Sequence, residues 1–571
     1  MVDFTNGPAP AGFLSPQRFE ADIYDCEVEG TIPADLDGAF VRVGGEWFYP
    51  PSRPDDSPFS TDGYISSFRI KNGIVDFRAR WVQTPRFRNN LAARRQLYGV
   101  YRNPFTHDPS VRDLDKPYLA TVANTSPLAF GGRLYALKED AHPIEVDPNT
   151  LETLGAWDFD GQYKAQTFSA HPKIDPVSGD LICYGYEATG MCTDDLWIYT
   201  ISPDGNVKSE VRVKVPYVST LHDMVLTQKY FIFPVYGYVT SVERLREGHL
   251  HWAFDKNAPT YWGIIRRDGD GSDARWFKGP TSVVMHTINA FDDGDKVIVD
   301  APISDGNPFP FFPQLDGSPW DPVAARHTIR RLTFDLASRS DSYVVDIRDP
   351  TDVVDLARVD DRYNSIPYRY VYSSMFDPDQ PFDRERAGNN RAVNSYFRYD
   401  MQTGEWRKYF AGDVHSLQEV SFIPRSQSAP EGDGYLIGTA SNYAEMRTEL
   451  VIVDAQEMAE LARVYLPFRN TPQVHARWYS SQELPLTDPN DGIQGSQFNL
   501  HNGHLGSVTL TLAFILDRQN QIVQHSPYTT LAKLGSLMAM PPTCNFLLFS
   551  RMALAVKSAM IPAYCNLRRW F

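Results

Sequence analysis

The sequence predicts an all-β fold, on three observations. Aromatic residues make up 13% of the 571 positions, with 30 Tyr and 33 Phe, side chains that fit a pleated, half-buried surface. Forty-two prolines and 37 glycines supply turn residues throughout. Strand-turn-strand units recur about every 20 to 30 residues, whereas helical periodicity is scarce.

The units read in order along the chain. GRLYALKE is followed by PIEVDPNTLETLG, and later come SYFRYDMQTGEWRKYF and ELVIVDAQEMAELARVYL, each with a turn signal such as DPNT or QTG between alternating apolar positions. Repeats of this kind build either a large sandwich or a propeller of four-stranded blades.

Histidines favour the propeller. In HPKIDPVSGDLICYGY, HDMVLTQKYFIFP and HTINAFDDGDKVIVD a histidine opens a strand-like segment, a turn follows, and a second strand-like segment comes next. His171, His222, His286 and His475 are separated by 51, 64 and 189 residues, near one, one and three times a blade-sized unit of about 60 residues. Equivalent positions on the inner strands of different blades converge on the propeller axis. Any one of thirteen histidines is more often a surface or core side chain than a ligand; the context shared by His171, His222 and His286 is what marks three of these four. Four neutral imidazoles leave a dipositive metal its full charge, and spacing alone admits zinc, copper, iron or nickel.

Composition excludes several function classes. Apolar residues at 42% and charged residues at 22% are those of a soluble globular protein. With 55 Lys and Arg against 71 Asp and Glu, the net charge of −16 repels phosphate backbones, so no nucleic-acid partner is expected. Cys26, Cys183, Cys192, Cys544 and Cys565 are odd in number and scattered, which argues for a reducing compartment, read here as the cytoplasm. The N-terminus lacks a secretory pattern, and no apolar run approaches the roughly 20 residues of a transmembrane segment.

The propeller is expected to occupy residues 1–490. Residues 496–571 contain a single acid, Asp517, and their apolar runs are broken by Arg551 and Lys557. Residues 491–571 are therefore read as an atypical tail outside the propeller, with disorder or translated non-coding sequence as its two explanations.

Between residue 30 and residue 478 the chain carries, in order, GTIPADLDGAFVRVGG, TDGY, YRNPFT, ANTS, LKED, SAHPKIDP, LHD, MHT, RVDDRY, QEVSFIPR and VHARW. In these motifs it resembles the carotenoid cleavage oxygenases, and within them the stilbene-cleaving (lignostilbene dioxygenase) branch. The resemblance implies a seven-bladed β-propeller with one Fe(II) on His171, His222, His286 and His475, capped by loops and short helices over a hydrophobic tunnel. It also implies carboxylate partners for three of the histidines: Glu139 for His222, Asp355 for His286 and Glu419 for His475. Ligating histidines donate their second ring N–H to such groups, which fixes the tautomer. Asp355 stands where glutamate is usual, and Ala357 where proline is common. An aspartate reaches about 1.3–1.5 Å less far, so a backbone shift or a bridging water is expected at that site.

The resemblance further assigns Lys138 and Tyr101, with Tyr98 as the fallback, to a substrate 4′-hydroxyl. It places Phe59 on the aromatic wall, and Phe309, Phe311 and Phe312 of NPFPFFP are further candidates. A lysine facing an apolar tunnel is costly unless it meets a polar group, and a phenol supplies one. Lysine and phenol titrate near about 10.4 and 10, so modest desolvation lets them share a proton and pushes electron density onto the alkene.

The implied reaction is O2-dependent cleavage of the central double bond of a small aromatic 4-hydroxystilbene such as resveratrol, piceatannol or a lignostilbene, giving two aldehydes. A carotenoid or apocarotenoid oxygenase on the same iron site is the nearest alternative. A non-catalytic binding propeller and a hydrolase propeller with paired carboxylates are two more. The preferred stilbene and the oligomeric state are not legible in the sequence.

Overall fold

The structure is a computed structural model that describes Phe4 and residues 12–388 and 392–489. The expected tail, residues 491–571, lies outside the described residues.

Seven blades of antiparallel strands form the propeller, so the prediction of an all-β fold holds and the sandwich is excluded. Blade two runs outward through Ser126–Phe130, Arg133–Leu137, Ile144–Val146 and Thr153–Ala156, and blades three to six follow the same meander. Strands near the axis are buried on both faces, as in Leu181–Tyr186 and Gly434–Asn442. Farther out the burial alternates, as in Ile74–Trp81. Interblade packing therefore forms the core as a ring of apolar clusters around the axis.

The turn signals close the outer hairpins in one way. Asp147, Asp175, Asp400 and Asp454 each accept backbone N–H groups two residues on, at 2.9 Å in each case, the Asx-turn that lets aspartate stand in for a backbone acceptor. At Asn72-Gly73 both residues take positive φ, 53° and 78°, as a two-residue hairpin matching the strand twist requires.

Both chain ends close the ring. His475–Ser480 is the innermost strand of blade one and pairs with Gly38–Glu46, with Val43 opposite His475. Glu27–Gly30 is added to the outer edge of blade seven beside Ala459–Tyr465. Thus the fourth histidine, so distant in sequence, is put on the axis by pairing with an N-terminal strand.

Loops outside the blades carry Phe59, Tyr101 and the 305–313 segment. The helix Pro85–Ala93 starts at Thr84, whose side chain accepts from Phe87 N–H, and has proline in its first turn. Asn103 donates to the carbonyls of Leu245 and His249 at 2.9 and 2.8 Å, tying the Tyr101 loop to the end of the short helix Val242–Arg246. Cys26, Cys183 and Cys192 are free thiols. Among the described residues no helix is long and apolar enough to cross a membrane.

Candidate metal centre

Three of the histidines sit just before an inner strand and the fourth begins one. His171 precedes Lys173–Ile174, His222 precedes Val225–Leu226, His286 precedes Asn289–Asp293, and His475 opens His475–Ser480. All four are buried, and one ring nitrogen of each lies within 4.8 Å of the others. The Nε2 separations are 3.0 Å for His171 and His222, 3.2 Å for His222 and His286, and 3.3 Å for His286 and His475.

Carboxylates decide what these contacts mean. Nδ1 of His222 donates to Glu139 Oε1, Nδ1 of His286 to Asp355 Oδ2 at 3.1 Å, and Nδ1 of His475 to Glu419 Oε1 at 3.1 Å. Each proton is thereby on Nδ1, leaving three Nε2 lone pairs aimed at one another. Such an arrangement repels itself unless a cation stands between them. Bonds of about 2.0–2.1 Å to imidazole set neighbouring nitrogens roughly 3.0–3.4 Å apart, which the observed spacings match. The residues therefore fit a single metal ion held by four neutral imidazoles.

Electrostatics run the same way. Burial alone would push Glu139 up, but His222, Lys138 and Arg102 outweigh it and hold it down to about 2. Glu419, likewise buried, is held down to about 2 by Arg358 and His475. Burial and the neighbouring histidines drive His171 well below its ordinary range, and burial lowers His475 to about 4 against the pull of Glu419. His286 moves up, because Asp355 overcomes its burial. Neutral His171 and His475 beside ionised Glu139 and Glu419 suit a metal, and His286 must give up any proton to bind one.

Asp355 meets His286 directly, with no bridging water required by the distance. His171 has no carboxylate among the described groups that shift it. A small cleft borders His171, Lys173, Thr287, Arg358, Asp361 and Arg477 and gives the centre a polar side.

The other named residues converge on an aromatic wall. Lys138 follows the strand Arg133–Leu137, and its Nζ lies 3.1 Å from Thr125 Oγ1 and 4.5 Å from the ring centres of both Phe59 and Tyr101. Cation–π contact of this kind contributes about 2 kcal/mol when desolvated. Phe59 in turn packs on Phe309, Phe311 and Phe312 at 6.4, 5.6 and 5.3 Å between ring centres. The Tyr101 hydroxyl is buried and has no hydrogen-bond partner among the described residues. Tyr98 is engaged elsewhere, with Asn89 on its hydroxyl at 2.8 Å and Arg86 over its ring. Burial lowers the Lys138 ammonium, opposed by Glu139 and Asp140, and raises the Tyr101 phenol well above its usual value.

Several bracing residues escaped the sequence reading. Asp223, inside LHD, accepts from Thr287 N and Oγ1 at 2.8 and 2.7 Å and pairs with Lys173 at 2.8 Å, so it ties the His222 and His286 segments together. Arg358 pairs with Glu419 at 2.8 Å. Arg102, Glu187 and His251 form a buried chain, with 2.6 Å and 3.2 Å contacts, behind Tyr101. LHD, MHT and RVDDRY already contained Asp223, Thr287 and Arg358, but only their proximity shows what they touch.

The family model described as RPE65, retinal pigment epithelial membrane protein, matches residues 14–480. Lignostilbene-alpha,beta-dioxygenase isozyme III of Sphingomonas paucimobilis is 40% identical, covering 85% of this chain and 100% of that protein. Isoeugenol monooxygenase of Pseudomonas putida is 38% identical, covering 83% and 98%. The crystal structure of Pseudomonas brassicacearum lignostilbene dioxygenase superposes with a TM-score of 0.80 at 39% identity, covering 84% of this chain and 100% of that one.

Proposed function

The chain belongs to the RPE65/carotenoid cleavage oxygenase family, and from that premise we propose that it is a non-haem iron(II) dioxygenase cleaving the central Cα=Cβ bond of 4-hydroxystilbenes. One stilbene and one O2 give two aromatic aldehydes, so both oxygen atoms enter products and no external reductant is consumed. The observation that carries this reading is the buried Lys138 over the ring of Tyr101, whose hydroxyl has no hydrogen-bond partner among the described residues, in an aromatic wall where a phenol would supply one.

In this proposal His171, His222, His286 and His475 hold the iron, which when bound supplies the one-electron chemistry that O2 requires. Glu139, Asp355 and Glu419 keep three of the imidazoles in the Nδ1–H tautomer. Phe59 and Phe309 press on the stilbene ring, where aromatic contacts add about 0.5–1.5 kcal/mol beyond area burial. Tyr101 donates to the phenol oxygen. Burial lowers Lys138 and so frees its neutral amine form, which can accept the phenol proton, while Glu139 and Asp140 stabilise the ammonium that results; the phenolate pushes electron density onto the alkene. The free thiols fit a reducing compartment such as the cytoplasm.

A second reading uses the same anchor. The isoeugenol monooxygenase relative, nearly as similar as the lignostilbene enzyme, makes a 4-hydroxyphenyl-propene the other substrate class. Anaerobic Fe(II) loading, followed by O2 with resveratrol, isoeugenol or an apocarotenal, separates the readings by product mass. Two aldehydes from resveratrol are expected; cleavage of the apocarotenal alone would overturn the proposal.

A further inference from the structure

The three carboxylates behind the histidines are not braced alike. Glu419 accepts from Ala476 N–H at 2.5 Å and pairs with Arg358 at 2.8 Å, and Glu139 has Lys138 and Arg102 acting on it. Their side chains are 3% and 2% exposed, against 13% for Asp355, the short one. Its partners are not arginine or lysine. They are His286 and one further histidine, His327, whose Nε2 lies 3.8 Å from the same oxygen, Oδ2, that receives His286.

His327 belongs to none of the motifs described above. It directly precedes the blade-five strand Thr328–Asp335, and its backbone is knitted to the Asp355 segment. Its N–H donates to Asp352 Oδ1 and its carbonyl accepts from Val353 N–H, both at 3.1 Å. The Nε2 atom is sealed from solvent and has no hydrogen-bond partner among the described residues. A buried polar atom left so costs free energy, and a closure of under about 1 Å brings it to Asp355 within ordinary bonding distance.

We propose that His327 is a positioning residue of the metal centre, donating from Nε2 to Asp355 and so holding this short carboxylate under His286 Nδ1. The inference rests on the reading of the four histidines as metal ligands. An aspartate has one torsion fewer than glutamate with which to find His286, so its aim depends on what holds its carboxylate from the other side. Outer partners of ligating histidines change metal affinity by roughly 10–100-fold when lost, and a partner one step farther out is expected at the low end.

The test is cobalt(II) titration of the full-length metal-free protein, followed by visible absorption and with no substrate present. His327→Leu is expected to weaken cobalt binding about tenfold. His327→Gln, which keeps a donor, should bind nearly as the parent does. In an Asp355→Glu background the longer side chain finds His286 unaided, and His327→Leu should then cost nothing, a coupling that a packing role would not produce. Unchanged affinity in His327→Leu overturns the proposal. So does an equal loss in the leucine and glutamine variants and in the glutamate background, which would make His327 a packing residue. A parent that binds no cobalt sinks the metal reading itself, whereas absent stilbene cleavage with normal cobalt binding leaves this inference standing.

Discussion

Lys138 Nζ stands 4.5 Å from the centre of the Tyr101 ring, while the buried Tyr101 hydroxyl has no hydrogen-bond partner among the described residues. Lys138 has Thr125 Oγ1 at 3.1 Å as well as two aromatic rings, so the Tyr101 hydroxyl is the unsatisfied group of the pair.

Replacing Tyr101 with phenylalanine removes a hydroxyl whose burial is unfavourable in the free protein. Its melting temperature should stay level or rise, since an unsatisfied buried group costs about 1–3 kcal/mol, while kcat/KM for resveratrol falls. A clear drop in melting temperature would show that the hydroxyl has a structural partner.

Lys138→Met keeps the length of the side chain and discards its charge. Turnover of 4-hydroxystilbenes should fall by about 100-fold with metal content unchanged, because a group aimed at charge developing in the reaction contributes on that scale. Full activity on resveratrol, read by aldehyde formation, would remove Lys138 from the mechanism.

Asp355→Glu restores the side-chain length found at 139 and 419. Iron or cobalt occupancy after purification, measured by elemental analysis, should be preserved or raised. A marked loss would mean that the blade-five segment has adjusted to the shorter acid and rejects the longer one.

Chelation should lower the melting temperature and expose an acid sensitivity. In the metal-free protein His475 titrates near 4 instead of 6.5, so the unfolded chain takes up the proton first and stability falls as pH drops from 6.5 toward 4. Glu139 and Glu419 titrate near 2 instead of 4.5; their contribution is complete above pH 4.5 and is lost as pH falls toward 2. A melting temperature that stays flat between pH 7 and pH 4 would contradict these assignments.

Much of the site was legible because its chemistry is written in residue type. Histidine opening a strand, acid in LKED and QEV, and lysine beside Glu139 are visible without coordinates. His327 was not, since a lone histidine ahead of a strand has no local signature, and its distance to Asp355 depends on how blade five meets the loop into blade six. The preference for Tyr101 over Tyr98, three residues apart, likewise rested on the resemblance and not on any local signal. The loop conformation sends one to Lys138 and the other to Asn89 and Arg86.

By itself, then, the sequence determined the all-β class, the hairpin repeat and its turn signals, which depend on short-range periodicity, and singled out the four imidazoles by their spacing and by the ordered motifs that carry them. Tertiary structure alone decided that Gly38–Glu46 carries His475 to the axis, that Nε2 and not Nδ1 faces the centre, and that Asp355 touches two histidines. Those outcomes depend on which strands pair and which side chains share a buried oxygen, and contacts of long sequence separation leave no mark on local pattern.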